Sequence, residues 1–184
     1  MFLDRLKESP KSLYLFMMFI AGFLLFLIIN FTVFRPLGVA VTGYNILDYE
    51  FAWTPEQVII IFATWGTNGM ILQAAGVYWD FLYIIGYGSF AFSGVLLLAK
   101  QLSGKWQMLG LYVSFIAILA GLFDVIENIF LLVMLYDPNS VIFVVPTIAG
   151  VMATMKFSAL LIALLYFIPG LVAVIIQMIK NKKN

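Results

Sequence analysis

Four long, mostly apolar stretches limit what this chain can become more than anything else in it. They run from about Leu13 to Phe34, Val77 to Ala99, Met108 to Tyr136 and Phe143 to Ile179. Crossing about 30 Å of hydrocarbon takes roughly 20 apolar residues as a helix, and each stretch is long enough. The third and fourth exceed the requirement, which predicts tilt or extension beyond the bilayer. Composition agrees: 64% of the 184 residues are apolar and 10% charged. Soluble domains run nearer half apolar and a quarter charged, so this chain cannot build a water-facing surface. The reading is an all-α integral membrane protein: a four-transmembrane-helix, up-down-up-down bundle forming one membrane domain over residues 1–184.

Basic residues orient the bundle. Arg5, Lys7 and Lys11 precede the first span, Lys100 and Lys105 separate the second and third, and Lys180, Lys182 and Lys183 follow the fourth. The opposite side carries Arg35 alone, because the turn from Asp137 to Ser140 holds no Lys or Arg. Eight against one is a positive-inside signal that places both termini in the cytoplasm. The first span has the basic head and apolar body of a signal peptide, but its length predicts an uncleaved anchor.

The sizeable non-spanning segment is an outer loop and cap over residues 35–76. Thr54-Pro55-Glu56-Gln57 reads as a helix start, with Thr as N-cap and Pro at the first position. Gly66 can end that helix, whose body is mostly apolar and too short to span. A short amphipathic outer helix roofing the bundle is therefore expected. Trp53, Trp65, Trp79 and Trp106, with Tyr78 and Tyr136, fall near the predicted interfaces as an aromatic belt would. The Phe-rich first span (Phe16, Phe19, Phe23, Phe26) is expected to face lipid or core.

Several chemistries are excluded. The chain has no Cys and no His, which removes disulfides, thiolate nucleophiles, imidazole triads, His-ligated haem and zinc sites built on those residues. A net charge of +1 lacks the basic face that nucleic acid requires, so no nucleic-acid partner is expected.

Ionisable groups inside spans cost about 2.5–3.5 kcal/mol each on insertion scales, so each must be accounted for. There are four: Asp80, Asp124, Glu127 and Lys156. At about 1.5 Å per residue, Asp80 lies roughly 29 Å above Ala99, Glu127 roughly 29 Å above Met108, and Lys156 roughly 33 Å above Met178. Three helices thus put their ionisable groups at one level in the outer half of the bilayer. Helical spacing adds Tyr83 and Tyr87 to the face of Asp80, and Asn128 to that of Asp124 and Glu127. On the fourth helix Ala149, Ala153 and Lys156 form a stripe, beside Gly150 and Thr154, whose small size permits close approach. Asn30 and Thr32 reach a similar height, and Arg35 can dip toward the cluster from the interface.

Three acids against Lys156, or against Lys156 and Arg35, leave negative charge over, to be met by a proton or a cation. Four readings fit: an ion pair that only fixes helix register, a proton- or cation-linked pathway, a pocket for a lipid or small ligand, and a membrane-embedded enzyme. For the last, paired carboxylates can do acid–base work and a lysine can act as a nucleophile. Asp80, Asp124 and Glu127 also carry the oxygen ligands a hard divalent ion takes. Yet D-x-x-E-N alone has no specific chemistry and no phosphate-cradling glycine loop accompanies it, so neither metal nor cofactor is assigned.

The order of four segments resembles a family of small four-span prokaryotic membrane proteins with no assigned function. The segments are ILDYEFAWTPEQVIIIFATWG (Ile46 to Gly66), WDFLYIIGYGSF (Trp79 to Phe90), AGLFDVIENIFLL (Ala120 to Leu132) and ATMKFSALLIALLY (Ala153 to Tyr166). The resemblance implies that Asp80, Asp124, Glu127, Asn128 and Lys156 belong to a shared pattern, and that the membrane is a prokaryotic plasma membrane. It implies no reaction. The expected function is binding or permeation of a small ligand, cation or proton at a carboxylate–lysine site of Asp80, Tyr83, Tyr87, Asp124, Glu127, Asn128 and Lys156. The alternatives are an enzyme acting on a lipid or small outer substrate, or a structural partner subunit. The partners that fit are the lipid bilayer, a lipid or small-molecule ligand, and further copies of the chain.

Overall fold

The computed structural model describes residues 2–138, 141–142 and 144–181, with side chains from Arg5 onward. Ser140 of the expected turn, Phe143 at the expected start of the fourth span, and the tail residues Lys182 and Lys183 lie outside the described residues. The elements are all helical: α1 (Phe2–Glu8), α2 (Ser12–Ile29), a π-helical turn (Asn30–Phe34), α3 (Arg35–Ala40), α4 (Ile46–Glu50), α5 (Pro55–Gln101), α6 (Gly104–Tyr136) and α7 (Val144–Asn181). Among the described residues four runs are long and apolar enough to cross a membrane: Ser12–Ala40, Pro55–Gln101, Gly104–Tyr136 and Val144–Asn181.

The first run is longer than expected. Arg35-Pro36 reads as the start of an outer loop, yet the helix continues to Ala40. Proline lacks an amide hydrogen and its ring crowds the carbonyl four residues back, here that of Thr32. The wide turn at Asn30–Phe34, in which the Arg35 amide donates to the Asn30 carbonyl, takes up that conflict without breaking the helix. The connecting segment therefore begins at Val41.

The second run, expected over Val77 to Ala99 with its helix beginning near Asn68, starts earlier still, at Pro55. Thr54 caps α5 as expected, its hydroxyl accepting from the Gln57 amide at 3.3 Å. At Gly66 the backbone turns through φ 60° and ψ −178°, and the helix resumes at once. That conformation is essentially confined to glycine, which lets the chain change direction within one residue and with no linker. The short helix before the bend buries Val58, Ile61, Phe62 and Trp65 and exposes Ile59 and Ile60. Trp65 is thus a core residue rather than an interfacial one, and its indole N–H donates to the Tyr44 carbonyl at 2.8 Å.

The long helices pack in chain order, α2 on α5, α5 on α6 and α6 on α7, with α5 also touching α7. Glycines bring α2 and α5 together. A Cβ on Gly22 would stand 2.7 Å from the Gly86 carbonyl oxygen, and one on Gly86 would stand 2.9 Å from the Phe26 nitrogen. At one end of the bundle the Lys100 ammonium donates to the Pro10 carbonyl at 2.6 Å and the Tyr166 hydroxyl to the Trp106 carbonyl at 3.0 Å. At the other end the Tyr78 and Tyr136 hydroxyls meet at 3.0 Å and Thr147 donates to the Trp53 carbonyl at 3.1 Å. By contrast, α2 and α7 have no extended contact. They approach through the stacked Phe19 and Phe167 rings, 6.4 Å apart, and otherwise leave a gap.

Gly66→Ala is expected to lower stability by about 1–3 kcal/mol, because it forces a side chain into a backbone region reserved for glycine. Gly88→Ala, in a helix with open space around the added methyl, should leave the melting temperature unchanged or slightly raised. Equal melting temperatures for the two variants in detergent would contradict the bend.

Candidate functional site

Lys156 is the centre of a buried ionic cluster. Its ammonium lies 2.8 Å from Glu127 Oε2, 3.0 Å from Asp124 Oδ1 and 3.2 Å from Glu50 Oε2. All four residues are buried, Glu127 completely. Removing one partner of such a pair costs about 3–5 kcal/mol because a charge is left buried without its counter-ion, so the cluster ties α4, α6 and α7 to one point. The Lys156 stripe works as its composition suggests: Ala149 and Ala153 are buried against neighbouring helices. Thr154 does not bond across, since its hydroxyl turns back to the Gly150 carbonyl at 2.8 Å.

The carboxylates are held from behind. The Tyr87 hydroxyl donates to Asp124 Oδ2 at 2.7 Å, and the Asn128 amide donates to Asp80 Oδ2 at the same distance. Asp80 therefore reaches the cluster through Asn128 and not through Lys156. The Tyr83 ring lies next to those of Phe26 and Phe34, with centroids 5.0 and 4.9 Å away, and its hydroxyl accepts from the Asn30 amide at 3.5 Å. Two groups expected near the site lie elsewhere. Arg35 is exposed, because the continued helix carries it past the cluster, and the Thr32 hydroxyl turns back to the Ile28 carbonyl.

Asp80, Tyr83, Tyr87, Asp124, Asn128 and Lys156 border a cavity of about 710 Å³ in the gap between α2 and α7, which Glu127 does not reach. Its long walls are apolar, from Phe26 and Phe34 on one side to Leu160, Leu164 and Phe167 on the other. Phe26, expected to face lipid or core, is one of the wall residues. The polar groups gather at the end roofed by α4, where Glu50, Asp80, Asp124, Asn128 and Lys156 reach the lining.

Among the lining residues that were not anticipated, two stand out, Glu50 and Gln73. Glu50 arrives from the outer segment, outside every expected span. Helix α4 positions it: Asn45 and Asp48 form a reciprocal cap, with the Leu47 amide 2.8 Å from Asn45 Oδ1 and the Asn45 amide 2.7 Å from Asp48 Oδ2. Tyr49, buried beside it, donates its hydroxyl to the Leu131 carbonyl at 2.8 Å and pins the turn to α6. The signal was an acid set between Tyr49 and Phe51 with no basic residue near it in sequence. Gln73, the second, is 3% exposed, and its side-chain oxygen has no hydrogen-bond partner. It lies two helical turns before Asp80, on the stripe that continues to Tyr83 and Tyr87.

Each of the four segments that carry the family resemblance supplies part of this site: Glu50 from the first, Asp80, Tyr83 and Tyr87 from the second, Asp124, Glu127 and Asn128 from the third, and Lys156 from the fourth. Among the described residues no three acidic side chains are spaced to ligate a metal ion; the place between the carboxylates is taken by the Lys156 ammonium. Comparison with protein families, curated proteins and solved structures gives no match.

Burial pushes the Glu50 carboxyl above the usual carboxylate range; Lys156 draws it back down and the Asp124 charge adds to the rise. A raised acid holds its proton longer in the folded chain than in the unfolded one, so its contribution to stability is lost as pH climbs above the unfolded value. Glu50→Gln lacks that loss. Its stability relative to the parent protein should therefore rise between about pH 4 and pH 7, measured by chemical denaturation in detergent across that range. A difference that stays flat or falls with pH would contradict the burial of Glu50.

Proposed function

We propose that this chain is a four-span membrane protein, running up-down-up-down with both termini cytoplasmic, that holds an amphiphile in the cavity between α2 and α7. The eight-to-one distribution of basic residues supports the orientation, and the pairing of Pro10 with Lys100 and of Tyr78 with Tyr136 at opposite ends supports the alternation. In this orientation the ionic cluster lies in the outer leaflet and α4 roofs it.

One observation carries the ligand reading: a single chamber has apolar walls along most of its length and an acidic, hydrogen-bonding end. Its 710 Å³ falls within the roughly 300–1,000 Å³ of small-molecule sites. The α2–α7 gap gives an alkyl chain a lateral way in from the bilayer. A nucleophilic role for Lys156 has less support, because its ammonium is engaged by three carboxylates and a nucleophile needs a free lone pair. Passage of a proton or cation is the second reading, favoured by four carboxylates gathered in a region that holds one lysine, which pairs with three of them.

Mass spectrometry of solvent extracts from the protein purified in a mild maltoside should find an amphiphile in near-stoichiometric amount. Leu160→Trp, which fills the apolar wall, should lose it while keeping the melting temperature of the parent protein stripped of its amphiphile. Equal lipid content in parent and variant would contradict occupancy of the cavity.

A further inference from the structure

The chamber's polar end has a chemistry of its own, and it selects a sign of charge. Four carboxylates reach this region, and Lys156 pairs with three of them: Glu50, Asp124 and Glu127. Asp80 is the one left over. Its Oδ2 accepts from Asn128, and among the described residues no cation pairs with it. An incoming anion would meet this excess of negative charge, and a neutral head would leave it in place.

A second feature points the same way. Gln73 lines the cavity two turns from Asp80, is 3% exposed, and offers a buried amide oxygen that accepts nothing. An unbonded buried acceptor is costly, so the site is completed by a group that donates. One turn from Asp80 the Tyr83 ring packs against those of Phe26 and Phe34, and all three border the same space. Aromatic faces attract a cation within about 6 Å of the ring centre. A spare carboxylate, an empty acceptor and an aromatic wall are the complement of an ammonium group, which is cationic and a donor.

We infer that the amphiphile of this cavity carries an ammonium head, which sits between Asp80 and Gln73 against the Tyr83 ring while its chain runs down the α2–α7 gap. The inference rests on the amphiphile reading above and adds the head-group chemistry. Tyr83 and Asn30 fix the lateral position, and the Lys156 cluster forms the floor of the site.

The test uses the full chain in neutral maltoside with four probes: dodecylammonium, dodecanol, dodecanoate and ethylammonium. Binding is read by tryptophan fluorescence titration and by shift in melting temperature. Dodecylammonium should bind at least about tenfold more tightly than dodecanol, and dodecanoate should not bind. Ethylammonium, which has the head without the chain, should fail at the same concentrations; if it binds as tightly as dodecylammonium, the site serves a free amine and the amphiphile reading is overturned. Asp80→Asn should erase the preference for dodecylammonium while dodecanol binds as before, which also shows that the variant is folded. Gln73→Leu should weaken dodecylammonium more than dodecanol and provides an independent check. If dodecanol and dodecylammonium bind alike in the parent protein, or Asp80→Asn leaves the preference intact, the head-group inference is wrong while the cavity reading stands. If no chain-bearing probe binds, both fall.

Discussion

One ammonium shared among three carboxylates is the interaction on which the rest of this molecule depends. Lys156 draws Asp124 and Glu127 from α6 and Glu50 from α4 to a point where all four are buried. Bringing these charges out of water is costly, and mutual attraction compensates only when the geometry is good and the remaining lone pairs are used. Tyr87 supplies one such bond to Asp124. Glu127 is less well served: its Oε1 has no partner, and Oε2 faces the ammonium without a well-aligned hydrogen bond. An apolar replacement of similar volume would pack a purely structural bundle at least as well. The cost is easier to understand in a site that does something.

Two local departures from helix regularity build the space around that cluster. The wide turn at Asn30–Phe34 lets α2 pass Pro36 and brings Asn30 and Phe34 to the cavity wall. The bend at Gly66 folds the short helix before it onto the bundle, where Phe62 and Trp65 pack on Tyr49 with ring centroids 5.4 and 5.3 Å away. Tyr49 in turn holds the residue next to it, Glu50, at the lysine. The roof and the ionic site are therefore one construction: the aromatic packing that seals the end of the bundle also sets the fourth acid in place.

Much of this could be read from the sequence, for identifiable reasons. Apolar stretches of more than 20 residues leave little freedom, so the four long helices were evident. Because rise per residue is constant, counting from the helix ends put Asp80, Glu127 and Lys156 at one depth, and the structure brings them to the lining or floor of one chamber. What stayed hidden depended on the segment read as a loop. Treating residues 35–76 as outside the spans removed Glu50 and Gln73 from consideration, because a depth argument has no purchase on residues that are not on a spanning helix. The end of the first span was placed too early for a related reason: residues from Arg35 on were read as loop, whereas a single wider turn carries the helix past Pro36 to Ala40. Trp65 shows the limit of the aromatic-belt rule, since its indole N–H found a partner in the Tyr44 carbonyl and needed no interface.

The account stands or falls on the number and origin of the carboxylates around Lys156. Solid-state NMR of lipid-reconstituted protein, labelled with ¹⁵N at the lysine side chains and ¹³C at the Asp or Glu carboxyls, measures it directly through dipolar dephasing of the Lys156 nitrogen, assigned by its loss in Lys156→Arg. The predicted result is dephasing by both the Asp and the Glu label, with the Glu contribution reduced but not abolished in Glu50→Gln. Dephasing by one carboxylate alone, or a Glu contribution that Glu50→Gln leaves unchanged, would contradict the shared ammonium and with it the docking of α4 onto the site.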